Sequence, residues 1–221
     1  LPGAAADQDT VVLVHGLWMR GWVMRLMGIR LRRCGFHPVF FSYPSMRNSL
    51  SQNALLLSNF VADIAAPRIH LIGHSLGGLL ALQMLAEYPQ PRVGRVILAG
   101  SPYGGSCVAA RLARIAPGRY ILGHSMPQWL SQKFPGWNGQ YELGVIAGRK
   151  SIGGGRLISR LPHPNDGVVA VEETRMPGTS DEIVLDVSHS GMLLSAALIR
   201  QACSFLRSGH FLPDPPLNRQ P

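Results

Sequence analysis

A chain of 221 residues with 46% hydrophobic and 15% charged residues is long enough for a sizeable core and too apolar for a disordered polypeptide. The net charge of +9 comes mostly from arginines scattered over many segments, with no aromatic-interleaved basic run. That pattern favours a solvated basic surface over a nucleic-acid partner, and leaves open peripheral attraction to an anionic lipid surface or to acidic substrates.

No apolar stretch is long enough to span a bilayer, and no internal repeat or low-complexity tract is legible. The 25 glycines and 17 prolines suit many tight connections between alternating strands and helices. One domain over 1–221 is the expectation. A cytoplasmic location is expected because no signal peptide is visible. The periplasm or secretion stays open, since the chain starts at Leu1 and Ala4-Ala5-Ala6 resembles the small-residue tail of a cleavage site. Cys34, Cys107 and Cys203 cannot all pair internally; buried free thiols are the simplest account, with a single disulfide open.

In chain order, Leu1 to Asp9 reads as a flexible lead-in. Thr10 to His15 is a β-branched apolar run, a central parallel strand that ends in His15-Gly16-Leu17-Trp18. Gly21 to Arg33 reads as an amphipathic helix with Trp22, Leu26 and Ile29 on its apolar face, Arg25, Arg32 and Arg33 elsewhere, and Gly35 as the stop. Pro38 to Pro44 is the next strand. Asn48 or Ser49 caps a helix carrying Leu50, Ala54, Leu57 and Val61 on one face.

The organising stretch is Gly73-His74-Ser75-Leu76-Gly77. A short apolar run, Ile69 to Ile72, reads as a buried strand, and Leu76 to Ala86 reads as a buried helix. With only three residues between them the turn is very tight, its middle residue is strained, and its side chain is thrust outward. Glycines two before and two after Ser75 remove Cβ atoms that would clash with strand and helix. The serine then stands at a helix N-terminus, where free N–H groups and the macrodipole favour negative charge.

These residues resemble the α/β-hydrolase family, and within it the serine esterases and lipases of the bacterial triacylglycerol-lipase kind. The resemblance runs from about Val11 to about Phe205. It implies an α/β fold: a mostly parallel central sheet flanked by helices, with a short helical cap insertion. It also implies Ser75 as nucleophile. The His15-Gly16-Leu17 turn resembles the family's oxyanion loop in a narrower form, with one glycine rather than three. The N–H groups of Leu17 and Leu76 are then the oxyanion donors.

Pro89 ends the elbow helix, and Arg95 to Gly100 is the following strand, broken by Ser101-Pro102. In some relatives the acid follows this strand, but no Asp or Glu occurs between Val93 and Gln140. Residues 103–141 read as an insertion with helices near Ser106 to Ile115 and Pro127 to Lys133. Trp129, Phe134 and Trp137 add apolar area, suiting either a cap over an acyl pocket or packing elsewhere. Trp18 and Trp129 are the candidate substrate-binding side chains. Gly123-His124-Ser125 echoes the elbow without its second glycine or its apolar helix, so Ser125 reads as a helix cap and His124 as a loop residue.

Gly144 to Gly148 is another central strand, and Gly153-Gly154-Gly155 a flexible connection rather than a phosphate loop. Pro164-Asn165-Asp166-Gly167-Val168-Val169 has strong turn chemistry, and Asp166 alone reads as a turn residue. The resemblance makes it the triad acid, with Asp181 and Asp186 as rivals. Glu182 to Val187 is the last strand, with Asp186 inside it; His189 follows on a loop before a helix from Leu193 to Leu206, in the family's position for the base. The tail 208–221 reads as disordered.

Ser75, Asp166 and His189 thus stand in the family's order of nucleophile, acid and base. The implied reaction is hydrolysis of small-molecule or lipid-like acyl esters. Acyl transfer, thioester hydrolysis and a non-catalytic binding module are the alternatives. No cofactor is implied, and no metal: His15, His70 and His74 fall in core or elbow positions, and no Cys/His spacing suits zinc.

Overall fold

The computed structural model describes residues 8–131, 137 and 139–213. The Ala4-Ala5-Ala6 segment, Lys133, Phe134 and the end of the tail lie outside them. The strands are β1 (Thr10–Val14), β2 (His37–Phe41), β3 (Ile69–His74), β4 (Val93–Ala99), β5 (Glu142–Gly148) and β6 (Asp181–Leu185). The helices are α1 (Arg25–Arg33), α2 (Leu50–Ala62), α3 (Leu76–Glu87), α4 (Cys107–Ala113), α5 (Ala116–Leu122), α6 (Ser125–Ser131), α7 (Gly155–Ile158), α8 (Val171–Thr174) and α9 (Ala196–Ser208).

The strands form one sheet in the order β2-β1-β3-β4-β5-β6, and all five neighbouring pairs are parallel. Alternation along each strand splits the core in two. Val12, Val14, Leu71 and Leu98 face α2, α3 and the cap, whereas Val11, Leu13, Ile72 and Ile97 face α1 and α9. Covering both faces explains why these strands read as continuous apolar runs. The chain runs outward from β1 to β2 and returns past β1 to β3. The ends of β1 and β3 therefore border the crevice where an open α/β sheet changes direction, the usual place for a ligand.

The helix after β1 departs from expectation. A 3₁₀ turn over Gly21–Met24 precedes α1, and the buried side is Met24, Met27, Gly28 and Leu31. Trp22 and Ile29 are exposed. Met24, Met27 and Leu31 form a second apolar side at equally good helical spacing, and it is this side that packs on the sheet, so the side carrying Trp22 and Ile29 faces outward. On the buried side Gly28 leaves room for the Phe40 ring, whose outer edge would lie 2.5 Å from an added Cβ. In α2, Ser49 is the cap, in a box with Gln52, and Leu50, Ala54, Leu57 and Val61 are buried as expected.

Among its described residues the cap insertion contains three helices rather than two, α5 being the addition. Ser125 does not cap; it is the first residue of α6, buried, donating to the Asn48 carbonyl at 2.8 Å and accepting from Asn53 at 3.1 Å. Two cysteines also depart from the free-thiol account: Cys34 and Cys203 form a disulfide that ties the end of α1 to α9, and Cys107 is free. Beyond α9 the described part of the tail is packed, with Gly209 left-handed at the helix end and Phe211 buried against Phe205. Among the described residues, no helix is long and apolar enough to cross a membrane.

Candidate active site

Ser75 follows β3 directly and precedes α3, with φ 55° and ψ −123°. For a residue with a Cβ this is a strained conformation, held because the surroundings leave no alternative. A Cβ on Gly73 would lie 2.4 Å from Gly78, and one on Gly77 2.2 Å from the Val14 carbonyl. The Ser75 N–H donates to the Ala99 carbonyl at 2.9 Å, so β4 also anchors the turn. Leu76 opens α3, where the first N–H groups have no carbonyl of their own helix to bond.

Asp166 is buried and fully occupied. One carboxylate oxygen accepts the N–H groups of Val168 at 2.9 Å and Val169 at 2.7 Å; the other accepts from His189 Nδ1 at 2.7 Å. The bond to Asp166 places the ring proton on Nδ1 and leaves Nε2 of neutral His189 as the free acceptor. The His189 N–H also donates to the Asp166 carbonyl at 2.9 Å, a second tie between the loops. Asp186 is exposed and lies just past β6, not within it; Asp181 accepts from the Phe211 N–H at 2.8 Å. Neither rival is paired with His189 among the described residues.

The Asp166 loop rests on contacts not foreseen from sequence. Asn165 accepts from the Gly167 N–H at 3.0 Å and from Ser151 at 2.6 Å. Gly153 and Gly155 lie under Gly167, where added Cβ atoms would sit 2.8 and 2.6 Å from its carbonyl oxygen. Gly153 and Gly155 are therefore close-packing positions on the way into α7, whereas Gly154 between them faces open space. Glu173 accepts from the N–H of Ala170 at 2.8 Å and of Cys107 at 2.6 Å, joining the Asp166 loop to the cap. Glu173 is the third residue of α8, and with alanine rather than a hydroxyl residue at position 170 no capping-box signature announced this contact.

His74 is completely buried behind the serine, and its ring lies 4.8 Å from that of His189. Its Nε2 donates to the His189 carbonyl at 3.0 Å, and its Nδ1 has no partner among the described residues. Burial, reinforced by the neighbouring His189, lowers its pKa to about 3, so this imidazole is neutral. His15 is neutral for a similar reason: burial lowers its pKa. Its Nδ1 donates to the Gly16 carbonyl at 2.8 Å, its Nε2 accepts from the Tyr43 N–H at 3.3 Å, and its ring stacks on Tyr43 at 4.4 Å. This holds the Gly16–Leu17 turn against the sheet.

A cavity of about 210 Å³ opens where these elements meet. Ser75, His189, Leu17, Leu76 and Trp18 all border it, with α4 and α6 of the cap supplying Val108, Leu112 and Met126. Among the described residues, no Arg or Lys lines it. Trp18 has φ 61° and is 62% exposed, and its indole N–H donates to the Ile121 carbonyl of α5 at 2.8 Å. Trp129 does not border the cavity; at 5% exposed it packs edge-on against Tyr103 in the interior of the cap. Its large apolar side chain announced burial but not which side of the cap would bury it.

A strained serine at a strand-to-helix elbow beside a histidine–aspartate pair is a family-level arrangement, and residues 11–216 match the alpha/beta hydrolase family. The chain belongs to that family. Among characterised hydrolases, the Escherichia coli K12 2-hydroxy-6-oxononadienedioate/2-hydroxy-6-oxononatrienedioate hydrolase is 32% identical over 109 residues, spanning 44% of this chain and 38% of that one. Well under two thirds of that relative therefore has a counterpart here. Among solved structures, the mature Bacillus licheniformis lipase BlEst2 superposes with a TM-score of 0.71 at 16% identity, over 96% of this chain and 95% of that chain. The Pyrococcus furiosus esterase Pf2001 gives a TM-score of 0.63 at 18% identity, over 93% and 84%. At those identities the likeness is one of fold.

Proposed function

We propose that this α/β-hydrolase is a carboxylic ester hydrolase acting through Ser75, His189 and Asp166. The observation that carries the reading is the Asp166–His189 bond at 2.7 Å, with His189 and the strained Ser75 bordering one cavity. A serine hydroxyl is a weak nucleophile and needs a base. In this reading Ser75 Oγ attacks the ester carbonyl as its proton passes to His189 Nε2. Asp166 stabilises the resulting imidazolium and keeps its tautomer. The negative oxygen of the tetrahedral intermediate lies between the N–H groups of Leu17 and Leu76, each donor of this kind contributing about 3 kcal/mol. The C–O bond to the alcohol then breaks, His189 protonates the departing alkoxide, and water, activated by His189, releases the acid and restores Ser75.

The cavity also supports a substrate class. Its 210 Å³ lies below the roughly 300–1,000 Å³ common for drug-sized ligands, and its walls are apolar. That suits a short, uncharged acyl group better than a long lipid chain. A dioate such as the E. coli relative's substrate carries two carboxylates, and burying one without a cation is costly. The Cys34–Cys203 bond supports an oxidising compartment, the periplasm or outside the cell, over the cytoplasm.

The test is turnover of nitrophenyl esters of increasing chain length by the native enzyme and by Ser75→Ala, with a fluorophosphonate probe as a second readout. Labelling at Ser75 and preference for short acyl chains are expected. Unchanged turnover in Ser75→Ala would reject the assignment.

A further inference from the structure

The outer surface built from α1 and α9 is not used by the chemistry. No Asp or Glu occurs between Thr10 and Ala62 or between Val187 and Pro213, so neither helix contributes a negative charge. The two helices pack together and are joined by the Cys34–Cys203 disulfide. Between them runs a groove of about 570 Å³ with Ile199 and Leu212 in its walls and Arg30, Arg33, Arg200 and Arg207 around them. Arg30 reaches the Leu194 carbonyl, and Arg207 reaches the Cys34 carbonyl and lies over the Phe36 ring. Arg33 and Arg200 are exposed, and among the described residues none of these four arginines is paired with a carboxylate.

Large apolar side chains share this surface. Trp22, Arg25, Ile29 and Arg33 follow one another at helical spacing and are all exposed. Trp22 is 68% exposed, as is 61% of Leu194, whose carbonyl the Arg30 side chain meets. A soluble polyanion would reward the arginines alone. A bilayer rewards both features, because guanidinium groups meet anionic headgroups while tryptophan and aliphatic side chains enter the boundary below them.

From this juxtaposition we propose that the α1–α9 face docks on a bilayer bearing anionic phospholipid headgroups. Docking rests on charge complementarity strengthened by Trp22, Ile29 and Leu194. It is independent of the catalytic reading, since none of these residues borders the cavity beside Ser75.

The experiment is co-sedimentation of the full chain with sucrose-loaded vesicles. One set contains phosphatidylglycerol and phosphatidylcholine in about equal parts, the other phosphatidylcholine alone. Binding to the anionic vesicles alone, released by about 0.5 M salt, is expected. Arg33→Glu with Arg200→Glu should weaken it at least about tenfold. Arg33→Lys with Arg200→Lys should retain most of it, and Trp22→Ser should weaken it at low salt. Thermal melting and turnover of a soluble ester monitor folding separately in each variant. Equal binding to both vesicle types overturns the proposal. So does retention after charge reversal, indifference to Trp22→Ser, or capture by soluble heparin without vesicle binding.

Discussion

His74 donates its Nε2 hydrogen to the backbone carbonyl of His189 at 3.0 Å, so the residue before the elbow serine holds the loop of the proposed base. The two rings lie 4.8 Å apart. In the proposed mechanism His74 is thus a positioning residue: it holds the His189 loop and, being neutral, adds no charge beside the imidazolium which that mechanism forms. We expect His74→Leu to lower kcat for a short ester about tenfold or more, with KM nearly unchanged, because small displacements of a catalytic group are costly. His74→Gln, which keeps an amide donor, should recover part of the loss. Equal kcat in all three proteins would remove this role.

The same burial makes stability depend on acid. The folded pKa of His74, about 3, lies below the 6.5 of a free imidazole. Between those values the unfolded chain binds the additional proton, so stability falls as pH drops through that window, by at most about 1.4 kcal/mol per pH unit for one such group. His15 and His70 are shifted in the same direction, chiefly by burial, and add to the effect. Urea denaturation at neutral pH and at two acid points should show a falling midpoint, with a shallower fall in His74→Gln. Identical acid slopes in the two proteins would contradict this account.

Gly77 is the least replaceable of the elbow glycines. A Cβ there would meet the Val14 carbonyl at 2.2 Å and the His15 carbonyl at 2.5 Å, both backbone atoms that cannot swing aside. Gly77→Ala should therefore cost about 3 kcal/mol or more, or prevent folding. Gly154, with nothing within 4 Å of its added Cβ and φ −70°, is the matched control and should tolerate alanine. Comparable melting temperatures for the two variants would count against the packing argument.

The disulfide closes a long loop, 169 residues in sequence separation. Its loss in Cys34→Ser with Cys203→Ser should lower stability by about 2–4 kcal/mol, chiefly by freeing the unfolded chain. Ester turnover at a temperature where both proteins are folded should be unchanged, because the bond does not border the cavity beside Ser75. A thiol count in denaturant, before and after reduction, gives the pairing directly. Three titratable thiols before reduction would exclude it.

Local chemistry decided much of this protein in advance. The β-branched run at Thr10–Val14 favours a buried strand, and glycines at 73 and 77 around a serine between an apolar strand and an apolar helix favour a tight turn. Those segments needed no information from afar. The cap's third helix, the outward face of Trp22 and the interior place of Trp129 depended on how helices lie against one another, which periodicity does not encode. Asp166 could be read as a plain turn residue until its carboxylate met His189, 23 positions away. The Cys34–Cys203 pairing and the His74–His189 clamp are likewise contacts between residues far apart in the chain, the first created when α1 and α9 pack together on one face of the sheet and the second when the parallel strands bring their ends to one side.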